Sequence, residues 1–358
     1  MFAVEQSEGS LARQWLDALC AVESTSGQEQ ALLPVVQDCL RQLGAEVALQ
    51  EVAAGRQNVL AVWGQPRLLF TTHLDTVPPY FPPRWSGDRL QARGACDAKG
   101  QIVAQWLAVR RLRQVRTAGL AWLGVVGEET DSLGASAAAA HADWRHRLSG
   151  CRAIVNGEPT QSRLATGQRG TEVYRVACRG RSAHSGVPEA GRSALWMLFE
   201  WLAALRRESG VCDPVFGPEV WNFGLCRGGE AVNSVPAFAE GHLHFRTVPG
   251  GRLPDRLREL RPEGATVEVL LTEPATRFTV VPGFEAGPVP FGSDAPTLAR
   301  LVPGAAMLQI GPGSIQLAHT PDEALELSDL LAGVDVLERI GAWFLACPDA
   351  LREEGTPS

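Results

Sequence analysis

The chain has 358 residues with 33 basic and 40 acidic side chains, a formal net charge of −7, and 45% hydrophobic against 20% charged residues. This composition is typical of a globular protein with one large domain or two ordinary ones. The mildly acidic balance, without a block of Lys or Arg, argues against nucleic acid and an anionic membrane surface as partners. No apolar run approaches the roughly 18 residues of a membrane span, and the N-terminal segment does not resemble a signal peptide. We therefore expect a cytoplasmic protein.

Eight cysteines are scattered along the chain without a C-x-x-C pair. In a chain of this size, that spacing favours reduced and mostly buried thiols over a disulfide framework or a structural zinc knuckle. Lys99 is the only lysine among the 33 basic residues. Its position is consistent with a residue in the first turn of a helix, and the pattern assigns it no catalytic role.

Apolar runs alternate with helix-like segments through the first half of the chain. Helical periodicity covers residues 11–43, 99–113 and 133–142, and strand-like apolar runs cover residues 58–63, 67–72, 118–126 and 151–155. Apolar runs of this length, separated by helices, predict an α/β layer structure with a largely parallel sheet.

From about residue 167 the pattern changes to that of a separate α+β unit. Strands are predicted at residues 171–178, 220–225, 238–248 and 266–271, and helices at residues 191–208 and 253–260. This β-α-β-β-α-β order predicts a ferredoxin-like insert. The α/β pattern then resumes with a helix at residues 294–301, a strand at 306–310 and a helix at 326–345. We therefore predict a discontinuous main domain, residues 1–166 and 277–358, and an inserted domain, residues 167–276.

Polar residues suited to metal binding follow the predicted strands. His73 and Asp75 end the strand 67–72 at a spacing of two, so both side chains point the same way and Asp75 could orient the imidazole through a hydrogen bond. A His–Asp pair without a metal is the simpler explanation when this pair is taken alone. Asp97 lies at the entry to the helix 99–113, where an acid also serves as an N-cap.

Two adjacent carboxylates, Glu128 and Glu129, follow the strongly apolar strand 118–126. Adjacent carboxylates at the end of a buried strand raise each other's pKa unless a cation lies nearby, although solvated loop acids are a simpler alternative. Glu158 follows the strand 151–155 in the same way. His319 lies in a Gly- and Pro-rich loop after the strand 306–310.

All of these residues lie beyond the carboxyl ends of predicted strands, where open α/β sheets form their binding sites. Helix caps and loop acids explain each residue singly, but a metal site explains all of them together. Two imidazoles with three carboxylates suit zinc, and the set exceeds what one tetrahedral ion needs. We therefore predict two divalent ions that share a carboxylate.

Five segments resemble a known enzyme family, in the family's order: HLDTVP, GACDAKG, GEETDSLGA, GEPT and GPGSIQLAHTPDE. They are similar to the co-catalytic zinc family of acetylornithine deacetylase, succinyl-diaminopimelate desuccinylase, aminoacylase and carboxypeptidase G, and most similar to acetylornithine deacetylase. The resemblance spans about residues 16–345. It implies a zinc-dependent exopeptidase-like mixed sheet flanked by helices, which is the catalytic domain, and an inserted ferredoxin-like lid and dimerisation domain.

The resemblance also implies the roles of individual residues. The implied metal ligands are His73 and Glu158 on one ion, Glu129 and His319 on the other, and Asp97 between them. Glu128 resembles the general base, and Asp75 resembles the residue that supports His73. The peptide bond between Asp97 and Ala98 is often cis in this family. Three ligand carboxylates and one hydroxide would balance two zinc ions, which leaves Glu128 free as a base; cobalt and manganese are alternative ions.

The inserted domain contributes a second set of candidates. His184, in GRSAHSGVPEAG, resembles the lid histidine that stabilises the tetrahedral oxyanion, in relatives often from the other subunit of a dimer. Asn233 and Arg246 resemble lid residues that hold the α-carboxylate of the substrate. Without the family pattern, a surface-loop histidine and an exposed strand arginine are the simpler interpretations. The segment around Ser293 and Asp294 lies where relatives line the substrate pocket.

The resemblance implies a hydrolase of N-acyl amino acids, and most specifically a deacetylase that releases ornithine and acetate from N-acetylornithine in arginine biosynthesis. N-acetyl-lysine deacetylase, succinyl-diaminopimelate desuccinylase and dipeptidase remain alternatives. A homodimer through the lid domain is also implied. A different alternative is a non-catalytic homologue that binds an amino acid or a partner protein. The complete ligand set and the retained Glu128 argue against it, because a degenerate homologue is expected to lack one of them.

Overall fold

The structure is a computed structural model that describes residues 7–115 and 119–346. Among these residues the helices are α1 (Glu8–Cys20), α2 (Leu33–Gln42), α3 (Lys99–Val115), α4 (Leu133–Ala140), α5 (Ala142–Leu148), α6 (Ala194–Leu205), α7 (Leu253–Glu259), α8 (Ala295–Leu298) and α9 (Leu327–Ala346), with 3-10 helices at Glu29–Leu32, Pro188–Ala190 and Ala299–Leu301. Ala118, Cys347 and the terminal parts of the predicted main domain, residues 1–6 and 347–358, lie outside the described residues.

The strands are numbered in chain order. They are β1 (Glu46–Ala53), β2 (Arg56–Trp63), β3 (Pro66–His73), β4 (Arg84–Ser86), β5 (Arg89–Gln91), β6 (Gly119–Val125), β7 (Ala153–Asn156), β8 (Leu164–Ala165), β9 (Gly167–Gln168), β10 (Gly170–Arg179), β11 (Cys212–Asp213), β12 (Gly217–Pro218), β13 (Val220–Gly228), β14 (Phe238–Thr247), β15 (Ala265–Glu273), β16 (Thr276–Arg277), β17 (Ala286–Gly287), β18 (Ala306–Gln309) and β19 (Ala324–Glu326).

The chain divides into two compact units. Unit 1 is formed by the described residues within Met1–Ala165, Phe278–Ala286 and Ser293–Ser358, and unit 2 is formed by Thr166–Arg277 and Gly287–Gly292. Each unit has a hydrophobic core of its own.

Unit 1 contains a six-stranded mixed sheet in the order β1-β2-β6-β3-β7-β18. Strands β6, β3, β7 and β18 are parallel neighbours, whereas β1 and β2 pair antiparallel at one edge. Every residue of β6 is buried, as is typical of a parallel strand covered on both faces. The predicted α/β class with a mixed sheet flanked by helices is confirmed.

Helix α3 lies in the core of unit 1, where its first eleven residues are all buried. Its Trp106 ring contacts Trp15 of α1 and Trp122 of β6 edge to face, with ring centroids 5.7 and 5.4 Å apart. Such aromatic pairs contribute about 0.5–1.5 kcal/mol each beyond the area they bury. The helix that begins just after Asp97 is thus held firmly against the sheet.

Two local predictions for unit 1 are wrong. The helix predicted for residues 11–43 is two helices, α1 and α2, because Ser24, Thr25 and Ser26 lead into Gly27, which has a left-handed φ of 92° that ends helical continuity. Strand β1 was missed because none of its residues is fully buried and it lacks an apolar run. It is an edge strand, for which apolar periodicity is a weak signal.

Unit 2 contains a four-stranded antiparallel sheet in the order β13-β14-β10-β15. Helices α6 and α7 pack against this sheet, and Trp201 of α6 donates a hydrogen bond from Nε1 to the main-chain oxygen of Leu257 in α7 at 3.0 Å. The chain order of these elements is the predicted β-α-β-β-α-β order of a ferredoxin-like unit. In the part of the chain that the structure describes, none of the helices combines the length and apolar character that crossing a membrane requires.

Candidate functional site

The parallel strands of unit 1 bring their carboxyl ends to one edge of the sheet. His73 at the end of β3 pairs in register with Val125 of β6, and Thr71 pairs with Asn156 of β7. Asn156 in turn pairs with Gln309 of β18. The segments that leave these four strands carry the predicted ligands, so the register places them side by side.

The carboxylate of Asp97 lies between two imidazoles. Its Oδ1 is 2.9 Å from Nε2 of His73, and its Oδ2 is 3.4 Å from Nε2 of His319. The same Nε2 of His319 is 3.0 Å from Oε1 of Glu129. One ligand atom from each of His73, Asp97 and Glu129 lies within 4.8 Å of the others, which is close enough for them to hold a metal ion. One Asp97 oxygen thus faces each imidazole, as a carboxylate shared by two ions requires.

The imidazole of His73 is buried and oriented from behind. Its Nδ1 is 2.9 Å from the main-chain oxygen of Asp75 and 3.5 Å from the Asp75 carboxylate. A carbonyl oxygen can only accept a hydrogen bond, so Nδ1 carries a proton. Nε2 donates to the Asp97 carboxylate, and although burial opposes it, the hydrogen bonds to Asp75 and Asp97 raise the pKa of His73 well above its usual value. Loss of the Nε2 proton would leave this nitrogen able to bind a metal ion while Nδ1 still donates to Asp75.

The Asp75 carboxylate makes its shorter contacts with a loop and not with His73. It accepts hydrogen bonds from three consecutive backbone N–H groups, those of Gly127 at 3.0 Å, Glu128 at 3.1 Å and Glu129 at 3.2 Å. The hydroxyl of Ser26 donates a fourth at 2.7 Å. Burial opposes ionisation of Asp75, but these bonds and the contact with His73 outweigh it and hold its pKa below the usual value.

The remaining carboxylates of the cluster are unusually reluctant to ionise. Burial raises the pKa of Glu128 well above its usual value, and the negative charges of Glu158, Asp294 and Glu129 act in the same direction. Burial likewise raises the pKa of Glu158, which is 4% exposed. Carboxylates gathered in this way ionise readily only when cations offset their charge. The donor set therefore fits divalent metal ions.

His319 occupies an exposed loop in a left-handed conformation, with a φ of 63°. Hydrogen bonds to Asp97 and Glu129 raise the pKa of His319 to about 10. Burial opposes ionisation of Asp97, but hydrogen bonds from the imidazoles of His319 and His73 outweigh it and keep the pKa of Asp97 below its usual range. The Asp97–Ala98 peptide bond is cis, as the family resemblance implies.

The three candidates of the inserted domain all lie in unit 2. His184 accepts a hydrogen bond at Nδ1 from the backbone N–H of Gly186 at 3.0 Å, so its neutral ring carries a proton on Nε2. The backbone N–H of Ser185 donates to the main-chain oxygen of Asn233 at 3.0 Å, which ties the two loops together. Arg246 is on β14, and its Nη1 donates to Oγ1 of Thr171 at 2.7 Å.

Four side chains that hydrogen-bond the residues or loops of this cluster were not predicted as functional from the sequence. They are Ser26, Arg93, Gln101 and Glu323. Gln101 donates from Nε2 to the main-chain oxygens of Cys96 and Pro312, both at 2.7 Å, and so links the Asp97 turn to the loop that leads to His319. Glu323 lies in the motif that contains His319, and this proximity was the available signal. Ser26 and Arg93 had no comparable signal, because a serine in a turn and an arginine in a loop are ordinary.

Similarity to known proteins assigns the class of hydrolase. The profile of peptidase family M20/M25/M40 matches residues 69–342. The chain belongs to this family, and it is a hydrolase. It is 30% identical over 337 residues to a Peptidase M20 domain-containing protein of Schizosaccharomyces pombe, with 90% of this chain and 82% of the relative covered. It is 31% identical over 353 residues to a probable carboxypeptidase of Aspergillus clavatus, with 87% and 84% covered.

Solved structures share the fold. A tripeptidase of Staphylococcus aureus superposes with a TM-score of 0.78 at 19% identity, covering 94% of this chain and 99% of its own. A Bacillus subtilis protein described as a dinuclear metal binding peptidase from the M20 family superposes with a TM-score of 0.68 at 14% identity, covering 94% and 98%. The relatives are described as peptidases and carboxypeptidases, so the resemblance to acetylornithine deacetylase holds at the level of the family, and the subgroup stays a prediction.

Proposed function

We propose that the protein is a metal-dependent amidohydrolase that cleaves the amide bond to an amino acid with a free α-carboxylate. The observation that carries this proposal is the Asp97 carboxylate between the imidazoles of His73 and His319. Glu128 follows the same sheet edge and is left outside the proposed ligand set. A site that only stores or structurally binds a metal has no use for such a base.

The proposed cofactor is a pair of divalent ions, with zinc as the first candidate and cobalt or manganese as alternatives. The proposed ligands are His73 and Glu158 for one ion, Glu129 and His319 for the other, and Asp97 for both. The hydrogen bond from Nδ1 of His73 to Asp75, which directs Nε2 toward Asp97, supports this assignment. The raised pKa values of the glutamates support it as well, because bound cations would lower them. When bound, such ions polarise the scissile carbonyl and acidify the attacking water.

Glu128 acts as the general base in this proposal. Its carboxylate receives the proton of the attacking water and then delivers it to the nitrogen of the leaving amino acid. Burial raises its pKa, which favours a carboxylate that takes up a proton and later releases it. The hydrogen bond from its own N–H to Asp75 holds the start of its side chain in place.

The candidate residues of unit 2 carry groups that suit substrate binding. His184 presents Nε2–H as a donor because its Nδ1 accepts from Gly186, and this donor suits a developing oxyanion. Arg246 presents a planar guanidinium that matches a carboxylate, and Asn233 adds an amide donor. These groups account for a substrate with a free α-carboxylate and an amide carbonyl.

Two substrate classes compete within this chemistry. The GPGSIQLAHTPDE segment favours N-acetylornithine, with N-acetyl-lysine and N-succinyl-diaminopimelate as close alternatives. The descriptions of relatives at about 30% identity as probable carboxypeptidases favour short peptides instead. In both classes the leaving group is an amino acid, so the proposed roles are unchanged.

The deciding experiment is amine release from a matched panel of N-acetylornithine, N-acetyl-lysine, N-acetylcitrulline, N-succinyl-diaminopimelate, and di- and tripeptides. The zinc-loaded protein is assayed beside a chelator-treated sample. We expect turnover that chelation abolishes and zinc restores. Turnover concentrated on N-acetylornithine supports the deacetylase, and turnover concentrated on peptides replaces it with a carboxypeptidase or dipeptidase. Absence of turnover on the whole panel with two bound ions contradicts the proposed reaction.

We also propose that residues 1–166 and 277–358 act as the catalytic domain, and that residues 167–276 act as a lid and dimerisation domain. Strand β13 is an edge strand of the unit 2 sheet, and most of its residues are exposed. Helix α6 exposes Trp196 by 67% and Phe199 by 44%. An unpaired strand edge and exposed aromatic side chains in the same unit support a protein interface on this unit.

Light scattering coupled to size exclusion tests this dimer. We expect twice the mass of one chain for the parent protein and one chain mass for Trp196→Glu. Val115→Glu is the control, because it introduces the same charge at a residue of unit 1 that is 68% exposed. Val115→Glu should leave the mass unchanged. A monomeric parent protein would contradict the dimer.

A further inference from the structure

A buried ion pair outside the proposed ligand set holds the turn that carries Asp97. Oε1 of Glu323 accepts hydrogen bonds from the backbone N–H of Cys96 at 3.2 Å and from that of Asp97 at 3.1 Å. Oε2 of Glu323 accepts from Nη1 of Arg93 at 2.6 Å. The side chains of Glu323 and Arg93 are each 1% exposed. The carboxylate therefore divides its two oxygens between the main chain at Asp97 and one guanidinium.

Both partners are themselves fixed. Nε of Arg93 donates to the main-chain oxygen of Pro79 at 3.1 Å, and its guanidinium lies 4.9 Å from the centroid of the Phe81 ring. The backbone N–H of Ala92 donates to the main-chain oxygen of Glu323 at 3.2 Å. Because side chain and main chain are both anchored, the acceptor offered to Asp97 has little freedom to move.

The position of the Asp97 carboxylate depends on this main chain. Its two oxygens face His73 at 2.9 Å and His319 at 3.4 Å, so a small rotation of the turn would break one of the two contacts. We propose that Glu323 is a positioning residue that sets the Cys96–Asp97 main chain and thereby places Asp97 between two metal ions. Arg93 places a positive charge against the buried Glu323 carboxylate. This inference rests on the proposed metal centre.

A purely structural ion pair is the competing explanation. Buried ion pairs are weak sources of stability, since apolar side chains of similar volume often stabilise a protein as well or better. Two apolar side chains would, however, leave the N–H groups of Cys96 and Asp97 without their acceptor. The two explanations therefore differ in what happens when both charges are removed together.

The chain offers a matched control pair. Nη1 of Arg89 contacts Oε1 of Glu326 at 3.0 Å, three residues after Glu323, and these side chains are 44% and 38% exposed. The Arg89–Glu326 pair joins β5 to β19, and the Arg93–Glu323 pair joins the segments next to these strands. Glu326 differs from Glu323 in that it makes no hydrogen bond to the Asp97 turn. Glu326→Gln thus removes an Arg–Glu pair without touching the proposed site.

The experiment compares the parent protein with Glu323→Gln, Glu326→Gln and the double variant Arg93→Met/Glu323→Met. Zinc content is measured after dialysis, zinc affinity by competition with a chromogenic chelator, and thermal stability on metal-free samples. We expect Glu323→Gln to bind zinc about 10- to 100-fold more weakly, as is typical when a group that orients a ligand is lost. With a substrate from the panel, kcat should fall while KM stays within about threefold, because Arg246 is untouched.

The double variant separates positioning from stability. It carries no unpaired buried charge, so any loss of melting temperature should come from the N–H groups of Cys96 and Asp97 that lack an acceptor, and the variant should still lose zinc affinity. Parental zinc affinity in either Glu323 variant overturns the proposal, as does a loss of zinc in Glu323→Gln that the double variant restores. An equal effect of Glu326→Gln overturns it as well. If the parent protein itself binds no zinc, the metal centre is wrong, and that result is distinct from a failure of Glu323 alone.

Discussion

The carboxylate of Asp75 accepts a hydrogen bond from the backbone N–H of Glu128 at 3.1 Å, while the main-chain oxygen of Asp75 lies 2.9 Å from Nδ1 of His73. One residue therefore contacts both a proposed metal ligand and the loop that carries the proposed base. The backbone N–H of Glu129 also donates to this carboxylate. The main chain at both Glu128 and Glu129 is therefore held by one negative charge.

Replacing Asp75 with Asn should impair the site through the loop. An amide side chain has one acceptor oxygen and an NH2 group, so a donor must face at least one of the N–H groups of Gly127, Glu128 and Glu129. We expect kcat to fall about 10- to 100-fold, the usual range for lost ligand support. Steady-state kinetics on the zinc-loaded variant measures this. Ser26→Ala is the matched control, because it removes one hydrogen bond to the same carboxylate at 2.7 Å and leaves the loop bonds intact.

Replacing Glu128 with Gln should separate chemistry from metal binding. The side chain keeps its size but no longer takes up a proton, so kcat should fall about 10²- to 10⁴-fold with two zinc ions still bound. Zinc analysis and turnover on the same preparation measure both quantities. Glu129→Gln is the contrasting variant and should lose zinc. Parental turnover in Glu128→Gln would remove Glu128 from its role.

The stability of the metal-free protein should fall as pH rises from 5.5 to 8.5. Folding raises the pKa of Glu128 and Glu158 above the unfolded value of about 4.3, so their stabilisation is present below that value and is lost as pH rises through the folded pKa values. His319 acts in the same direction, because its pKa rises from about 6.5 to about 10 on folding and its stabilisation fades across that interval.

Zinc should reverse this trend, because its ligands must lose their protons before it binds. The gain in melting temperature on adding zinc should therefore grow with pH across the same interval, as thermal denaturation of paired samples would show. Glu158→Gln removes one of the titrating groups and should flatten the pH dependence of the metal-free protein. A melting temperature of the metal-free protein that rises with pH would contradict the prediction.

The single lysine should not tolerate replacement by arginine. Lys99 is 1% exposed, and its Nζ donates to the main-chain oxygen of Val22 at 2.7 Å. Gly94 lies so close that a Cβ there would be 2.9 Å from Cδ of Lys99. An arginine would bring five N–H donors into this space, and unsatisfied buried donors cost about 1–3 kcal/mol.

Lys99→Arg should therefore lower the free energy of unfolding by about 1–3 kcal/mol. Chemical denaturation of the metal-free protein measures the change. Arg110→Lys is the control on the same helix, where the side chain is partly exposed and a change within about 0.5 kcal/mol is expected. Equal stability of Lys99→Arg and the parent would show that the pocket adapts to the larger head group.

Sequence patterns predicted the parallel strands and their common sheet edge because the rule involved is local. Apolar runs identify parallel strands, and the residues just after them must gather at one sheet edge, which is how His73, Glu129 and Glu158 were placed together. The division of residues 11–43 into two helices was missed, because a short polar turn barely changes apolar periodicity. Strand β1 was missed because its pairing with β2, not its own composition, makes it a strand.

The sequence by itself determined the α/β architecture, the ferredoxin-like order of the insert and the candidate ligands, since periodicity and residue chemistry are properties of the chain alone. Only the tertiary structure decided which atoms meet. In the folded chain the Asp75 carboxylate accepts hydrogen bonds from the loop that contains Glu128. Glu323 contacts Arg93 and Asp97, which lie more than two hundred residues earlier in the sequence. Such contacts depend on how distant segments pack. One acceptor has several possible donors in the sequence, and packing decides which of them comes within hydrogen-bond distance.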